Sequence, residues 1–254
     1  MVPAGPPRRA AVHPNHPGQL TDEQAAVAPR WGLGDWALAF VAGLVLTNVV
    51  AAIVLSATGR SDQPFDELPL TYVALLQLPQ WGATLGITWW AVQRKGNGLV
   101  ADLGLRAEPR DAPLGLAMGA ATQAFLVPLL YFPILRLLDR SPDDVAEEAR
   151  ELTDRATGLG VVLLILVVVL VAPVVEEIFY RGLLLRSLER RVGDGWALVV
   201  SSVVFGLAHL QALQLPALVM FGLVAGFLAQ RWGRLGPPIF AHIAFNAVTV
   251  AVLL

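Results

Sequence analysis

The chain has 254 residues, of which 56% are hydrophobic and only 15% are charged. This balance lies outside that of ordinary soluble domains and indicates a protein whose solvent is a lipid bilayer. The formal net charge of −2 gives no basic excess for binding phosphates and argues against a nucleic-acid partner, and the lack of cysteine excludes disulfides, thiolate metal sites and a cysteine nucleophile.

Residues 1–30 are rich in proline and contain hardly any apolar run, which predicts a disordered, exposed tail. Three membrane spans are predicted downstream, because a helix needs about 20 apolar residues to cross a hydrocarbon core about 30 Å thick. They cover residues 36–58, 68–93 and 112–135. We treat residues 31–157 as an accessory region that contains these three spans and their loops.

Four more spans are predicted in residues 158–254. The fourth begins near Gly158 and runs through a block of valine and leucine into two adjacent glutamates. Residues 195–230 contain no acidic residue, lysine or arginine and are too long for one crossing, so they predict a fifth and a sixth span joined by a hairpin near Gln211, Gln214 and Pro216. The seventh covers residues 235–254. The predicted fold is therefore an all-α, polytopic membrane bundle of about seven transmembrane helices.

The charges of the loops predict an orientation, because lysine and arginine are retained on the cytoplasmic side. Basic residues lie before the first span, between the second and third, after the fourth and before the seventh. The opposite loops are acidic or uncharged, and the acidic connection 139–155 predicts a short solvated helix. We expect a multi-pass integral membrane protein with its N-terminus in the cytoplasm and its C-terminus outside.

Candidate functional residues are the few ionisable side chains inside predicted spans, since these are costly to bury and usually functional. Glu176 and Glu177 end the apolar run of the fourth span, His209 is expected deep in the fifth, and His242 lies in the seventh. Glu177 is four residues before Arg181, on one helix face, so this pair is expected to be neutralised. Glu176 is rotated about 100° around the helix axis from Glu177 and has no fixed cation beside it. This environment suits a general acid or base.

Two further positions share a helix face with the histidines. Phe205 stands one turn before His209, and Asn246 stands one turn after His242. We expect Phe205 to pack against His209 and fix its rotamer. The two histidines and the amide can polarise a scissile carbonyl or hold a water molecule. Asn246 can instead join two helices by a hydrogen bond.

Other chemistries stay open from the residues alone. Glu176, His209 and His242 form a ligand set that catalytic zinc uses, although the helical HExxH pattern is absent. A pairing of Ser202 with His242 is a further alternative. In another class, a non-catalytic membrane protein, such as an immunity factor or a transporter, can use the same cluster for binding or proton transfer.

Three motifs in order carry a resemblance to a known family. Residues 176–181 match EExxxR, residues 205–209 match FxxxH, and residues 242–246 match HxxxN. This resembles the CPBP family (CAAX proteases and bacteriocin-processing proteins, also called the Abi family) of intramembrane glutamic endopeptidases, which is related to the type II CAAX prenyl protease. The resemblance covers roughly residues 158–254, the predicted catalytic core of four helices, and residues 102–106 give a weaker sign.

The resemblance implies hydrolysis of a peptide bond without a cofactor, with a divalent metal such as zinc as the alternative. Glu176 and His209 would activate a water molecule, and His242 and Asn246 would stabilise the oxyanion. Glu177, Arg181 and Phe205 would hold the site in shape. The expected partners are the lipid bilayer and a membrane-associated protein or peptide substrate. The family name suggests a prenylated CAAX-like substrate, but substrate identity and oligomeric state are left open.

The depths of Glu176 and His209 in the bilayer lead to one further prediction. If the fourth helix stopped at Arg181, the two side chains would lie too far apart to meet, since His209 is about 20 Å into the fifth helix. We therefore expect a long, tilted fourth helix that runs to about Leu188 and projects toward the cytoplasm. The active site would then open to the cytoplasmic side.

Overall fold

The computed structural model describes residues 28–254, so the predicted disordered tail, residues 1–30, lies outside the described range apart from residues 28–30. All regular secondary structure in the described range is helical, which confirms the all-α prediction. A single 3₁₀ turn, Phe65–Glu67, precedes the second helix. The helices are α1 (Leu33–Ala57), α2 (Leu70–Lys95), α3 (Leu99–Leu103), α4 (Asp111–Leu138), α5 (Pro142–Asp154), α6 (Leu159–Val192), α7 (Asp194–Leu207), α8 (Leu215–Trp232) and α9 (Gly236–Leu253).

Five of these helices, α1, α4, α6, α8 and α9, are long and apolar enough to cross a membrane. The predicted count of seven is not confirmed. The helix α2 has 26 residues, but its polar side chains lower its hydropathy, and it is not among the five. The helix α7 has 14 residues, a length of about 21 Å, which is shorter than the hydrocarbon core of about 30 Å.

The helix α6 continues well past Arg181 and ends at Val192, which confirms the prediction that the fourth helix runs to about Leu188. Its 34 residues correspond to about 50 Å, so the helix exceeds the thickness of the hydrocarbon core. Two of its stretches, Ile165–Val171 and Glu177–Leu185, form wide π-helical turns. Such turns free backbone carbonyls and are frequent at functional sites.

The helix α9 packs closely along α4 through glycines. A Cβ atom on Gly115 of α4 would lie 2.5 Å from the carbonyl oxygen of Pro237, so only glycine permits this approach. At the end of the same contact, Arg234 forms two hydrogen bonds to Asp111, of 2.8 and 2.7 Å, and a third ion-pair contact of 3.0 Å to Glu108. These interactions raise the pKa of Arg234 and fix the start of α9.

The segment that resembles a family element, residues 102–106, also contacts the turn before α9. The backbone nitrogen of Leu235 donates to the carbonyl of Gly104 at 2.8 Å, and that of Gly236 donates to the carbonyl of Arg106 at 3.1 Å. Gly104 has a φ of +69°, and a Cβ there would lie 2.7 Å from the carbonyl oxygen of Gly233. The accessory region therefore positions the first turn of α9.

The acidic connection contains the helix α5, as predicted. Ser141 caps it, because its Oγ accepts from the backbone nitrogen of Asp144 while its own backbone nitrogen donates to the Asp144 carboxylate at 2.6 Å. The hydrogen bonds from Ser141 hold the pKa of Asp144 below its usual range.

The hairpin between α7 and α8 corrects one prediction. The helix α7 ends at Leu207, so His209 lies in the turn after the helix and not deep inside it. Leu210 adopts a left-handed conformation, with a φ of +58°, which ends the helical path. The hydroxyl of Tyr131, on α4, donates to the carbonyl of Leu213 and attaches this turn to the accessory region.

Candidate active site

Glu177 and Arg181 form the contact that their spacing predicts. Arg181 Nη1 donates to Glu177 Oε1 at 3.0 Å, and both side chains are buried, with 2% and 0% of their surface exposed. The second guanidinium nitrogen donates to the carbonyl of Gly222 at 3.4 Å, on α8. The guanidinium also lies 4.4 Å from the centre of the Phe205 ring. Arg181 therefore neutralises Glu177 and joins α6 to α7 and α8.

Glu176 faces both histidines. Its Oε2 atom lies 3.8 Å from His242 Nε2 and 3.9 Å from His209 Nε2. Among residues 28–254 this oxygen is buried and has no hydrogen-bond partner. About a quarter of the Glu176 and His209 side chains is exposed, whereas His242 is buried. The structure thus brings together side chains from α6, from the turn after α7, and from α9.

The hydrogen bonds of the two imidazoles define their tautomers. His209 Nδ1 lies 2.8 Å from the carbonyl oxygen of Phe205, and His242 Nδ1 lies 2.8 Å from Oε1 of Glu177. Both partners are acceptors, so each Nδ1 carries the hydrogen. Each Nε2 then presents a lone pair toward Glu176 when the ring is neutral, and an N–H when the ring is charged. Three groups that can exchange a proton therefore converge.

Phe205 is fully buried and packs against both rings. Its ring centre lies 4.7 Å from that of His209 and 5.8 Å from that of His242, in edge-to-face arrangements. It also contacts Tyr180, at 5.2 Å. Phe205 thus packs against His209, as predicted, and it packs against the second histidine as well.

Asn246 connects α9 to α6. Its Nδ2 donates to the carbonyl of Val168 at 2.8 Å, within the first wide turn of α6. This bond uses one of the two hydrogens on the side-chain amide of Asn246, and the second hydrogen can donate to another acceptor. The hydroxyl of Ser202 donates to the carbonyl of Leu198 on its own helix, at 2.7 Å, rather than to His242.

The alternative zinc ligands, Glu176, His209 and His242, face one another as described above. Across residues 28–254, however, no group of three or more His, Asp or Glu side chains is arranged so that it could hold a metal ion. The expectation of a reaction without a cofactor stays a prediction, which a chelation experiment tests.

Tyr180 was not selected from the sequence, although it belongs to this cluster. It is 7% exposed, lies four residues after Glu176 on α6, and packs edge-to-face on Phe205. The spacing from Glu176 was the signal available in the sequence. Trp36 of α1 extends the aromatic cluster, because it stacks on Phe179 at 5.7 Å.

Comparison with known proteins gives a matching family model and a related protein. Residues 158–248 match a family model described as type II CAAX prenyl endopeptidase Rce1-like. Over 95 residues the chain is 34% identical to a Bacillus subtilis (strain 168) protein named "Putative membrane peptidase YdiL", a match that spans 37% of this chain and 39% of the relative. No solved structure matches the chain significantly. The family match includes all the predicted site residues.

Proposed function

We propose that this protein is a membrane-embedded endopeptidase that hydrolyses a peptide bond with a water molecule activated by Glu176 and His209. The match of residues 158–248 to the type II CAAX prenyl endopeptidase Rce1-like model supports this proposal. One observation carries the proposal: Glu176 Oε2 lies within 3.9 Å of the Nε2 atoms of both His209 and His242.

These distances suit a bridging water molecule. A separation of 3.8 or 3.9 Å is too long for a direct hydrogen bond, but a single water molecule can contact both atoms of such a pair. In this position the water can donate one hydrogen to the Glu176 carboxylate and the other to His209 Nε2. Its oxygen is then directed to the carbonyl carbon of a substrate.

The charges of the cluster suit a carboxylate base beside a charged imidazole. Glu177 and Arg181 cancel in charge, so a positively charged His242 would balance an ionised Glu176, which can then accept a proton from water.

The proposed reaction balances as follows. Glu176 takes one proton from the water, and the water oxygen bonds to the scissile carbonyl carbon, which gives a tetrahedral intermediate. A charged His242, with its Nδ1–H held by Glu177 and its Nε2–H free to donate, and the second amide hydrogen of Asn246 stabilise the oxyanion. The C–N bond then breaks as the proton held by Glu176 passes to the leaving nitrogen. The products are a carboxylic acid and an amine.

The exposure of the site indicates where substrate enters. His242 is 5% exposed, whereas Glu176 and His209 are 25% and 27% exposed. Substrate therefore reaches the cluster from the side of Glu176 and His209. The positive-inside pattern of the loops supports an opening toward the cytoplasm, and the bilayer favours a membrane-associated protein or peptide as substrate.

The test uses purified protein in lipid vesicles and a library of membrane-anchored peptides. Glu176→Gln and His209→Ala are compared with the wild type and with Glu151→Gln, which changes an exposed glutamate on α5. We expect both site variants to lose cleavage, and the wild type and Glu151→Gln to keep it with and without a chelator.

Each other outcome identifies an alternative. Full cleavage by Glu176→Gln would refute the proposal. Loss of wild-type cleavage on chelation, restored by added zinc, would favour a metalloprotease with Glu176, His209 and His242 as ligands. A Glu176→Gln protein that supports full activity in cells would favour the non-catalytic immunity factor or transporter.

A further inference from the structure

A cavity of about 550 Å³ lies between the start of α2 and the start of α6. None of the residues of the proposed reaction lines it. Two charged side chains, Glu67 and Arg155, contribute to its lining, and the rest of the lining is mostly apolar. The apolar lining residues with large side chains are Leu68, Pro69, Leu70, Leu159 and Leu163. The cavity therefore combines an apolar wall with one positive and one negative charge.

Arg155 is fixed beside this cavity by backbone carbonyls. Its Nε donates to the carbonyl of Glu151 at 2.8 Å, and its Nη1 donates to the carbonyls of Phe65 and Leu68 at 3.3 and 3.1 Å. These neutral acceptors hold the guanidinium in place but do not balance its charge. Among the side chains that the structure describes, Arg155 forms no ion pair, and its Nη2 has no acceptor. Arg155 can therefore donate to an anion from a fixed position.

Glu67 supplies the negative charge of the cavity. Its backbone is held in the 3₁₀ turn, where its carbonyl accepts from Gln63 Nε2 at 2.9 Å. Its side chain is exposed and forms no ion pair with Arg155 or with another described residue. Two opposite charges thus line one cavity without contacting each other. A ligand that carries both a negative and a positive group complements this arrangement.

The cavity lies where α6 enters the bilayer. The charged helix α5 ends at Asp154, and the apolar run of α6, a helix long enough to cross a membrane, begins at Leu159. Leu159 is 86% exposed, and Leu166, which continues the face of Leu159 and Leu163, is 47% exposed. Exposed leucines on such a helix contact acyl chains. A ligand at this position therefore has its charged groups at the cavity and its apolar part along α6.

We infer that this cavity binds a zwitterionic aminophospholipid, phosphatidylethanolamine, with its phosphate at Arg155, its ammonium at Glu67 and an acyl chain along Leu163 and Leu166. The phosphate accepts charge-assisted hydrogen bonds from the guanidinium, and the ammonium donates to the carboxylate. Phosphatidylcholine has no N–H group to donate, and phosphatidylglycerol has no cation, so Glu67 selects the amine over both. This binding does not depend on the proposed peptidase reaction.

The test titrates the full-length protein, purified in detergent, with phosphatidylethanolamine, phosphatidylcholine or phosphatidylglycerol of identical acyl chains. Native mass spectrometry measures the apparent Kd of the first bound lipid. We expect the wild type to bind phosphatidylethanolamine about 10-fold more tightly than the other two lipids. Glu67→Gln should abolish this preference, and Arg155→Gln should weaken the binding of all three lipids by about 10-fold.

Two matched controls change neighbouring charges outside the cavity. Asp66→Asn neutralises an exposed carboxylate next to Glu67, and Arg140→Gln neutralises an exposed arginine that pairs with Asp144. Both variants should bind the three lipids as the wild type does. Because the side chain of Glu67 holds no other described residue, Glu67→Gln decides the inference even if Arg155→Gln fails to fold.

The remaining outcomes overturn the inference. Equal affinities of the wild type for the three lipids would indicate unspecific contact with the bilayer. Tightest binding of phosphatidylglycerol would indicate an anionic lipid, and a preference for phosphatidylethanolamine that persists in Glu67→Gln would exclude the contact to the ammonium. Water-soluble glycerophosphoethanolamine should compete at least about 100-fold more weakly than the lipid, since it lacks acyl chains. Equal competition would show that the free headgroup is the ligand.

Discussion

His242 Nδ1 lies 2.8 Å from Oε1 of Glu177, the oxygen that also accepts a hydrogen bond from Arg181. This contact joins α9 to α6 and orients the imidazole so that its Nε2 faces Glu176. The two neighbouring glutamates therefore have different environments. Glu177 is fully buried and orients a histidine, whereas Glu176 is partly exposed and contacts no arginine or lysine among the described residues.

Replacing the buried glutamate should destabilise the protein far more than replacing its neighbour. Glu177→Gln leaves the buried guanidinium of Arg181 without a countercharge, and we expect a loss of about 3–5 kcal/mol in the free energy of unfolding. Glu176→Gln should change this quantity by less than about 1 kcal/mol, because Glu176 has no such partner. Thermal unfolding in detergent measures both changes. Equal unfolding temperatures for the two variants would show that the pair contributes little.

The contact between Asp111 and Arg234 should stabilise the start of α9. Asp111→Asn removes the charged partner of a buried arginine that keeps only its contact to Glu108, so we expect a loss of about 2–4 kcal/mol. The matched control is Arg110→Gln, which breaks an exposed ion pair and should cost less than about 1 kcal/mol. Thermal unfolding compares the two variants, and similar effects would contradict a stabilising role for the buried pair.

Gly222 should not tolerate a larger residue. A Cβ at this position of α8 would lie 2.9 Å from the Cα and Cβ atoms of Ser202 on α7. Gly222→Ala should therefore push the two helices apart and cost about 1–3 kcal/mol. Its control is Gly82→Ala, since nothing lies within 4 Å of a Cβ there and alanine is the better helix former. Unfolding measurements should show a loss for the first variant only.

Asn246 should contribute to both stability and catalysis. Asn246→Asp has nearly the same shape but places a carboxylate oxygen against the carbonyl of Val168, so the hydrogen bond between α6 and α9 is lost. We expect the free energy of unfolding to fall by about 1–3 kcal/mol and the cleavage rate to fall as well. Unfolding and peptide cleavage measure the two effects. A stable but inactive variant would assign Asn246 to the reaction alone.

The positions that local sequence determines are those set by helical periodicity. An unbroken apolar run predicted most of α6, and a spacing of four residues predicted the contact between Glu177 and Arg181, because both depend on the geometry of a single helix. Pro237 and Pro238 likewise lie in the first turn of α9, where their missing backbone donors carry no cost.

Contacts between different helices determined the positions of the other site residues. His209 lies beyond the end of α7 because the chain leaves the helix at Leu210, and Tyr131 of α4 holds the turn that follows. The hydrogen bond of Asn246 ends on a carbonyl of α6, and Tyr180 joins the site through the ring of Phe205 on α7. These partners are distant in the chain, and no local pattern specifies which side chains meet. Helix packing in the folded protein therefore determined the geometry of the cluster, while the sequence by itself determined which residues were available for it.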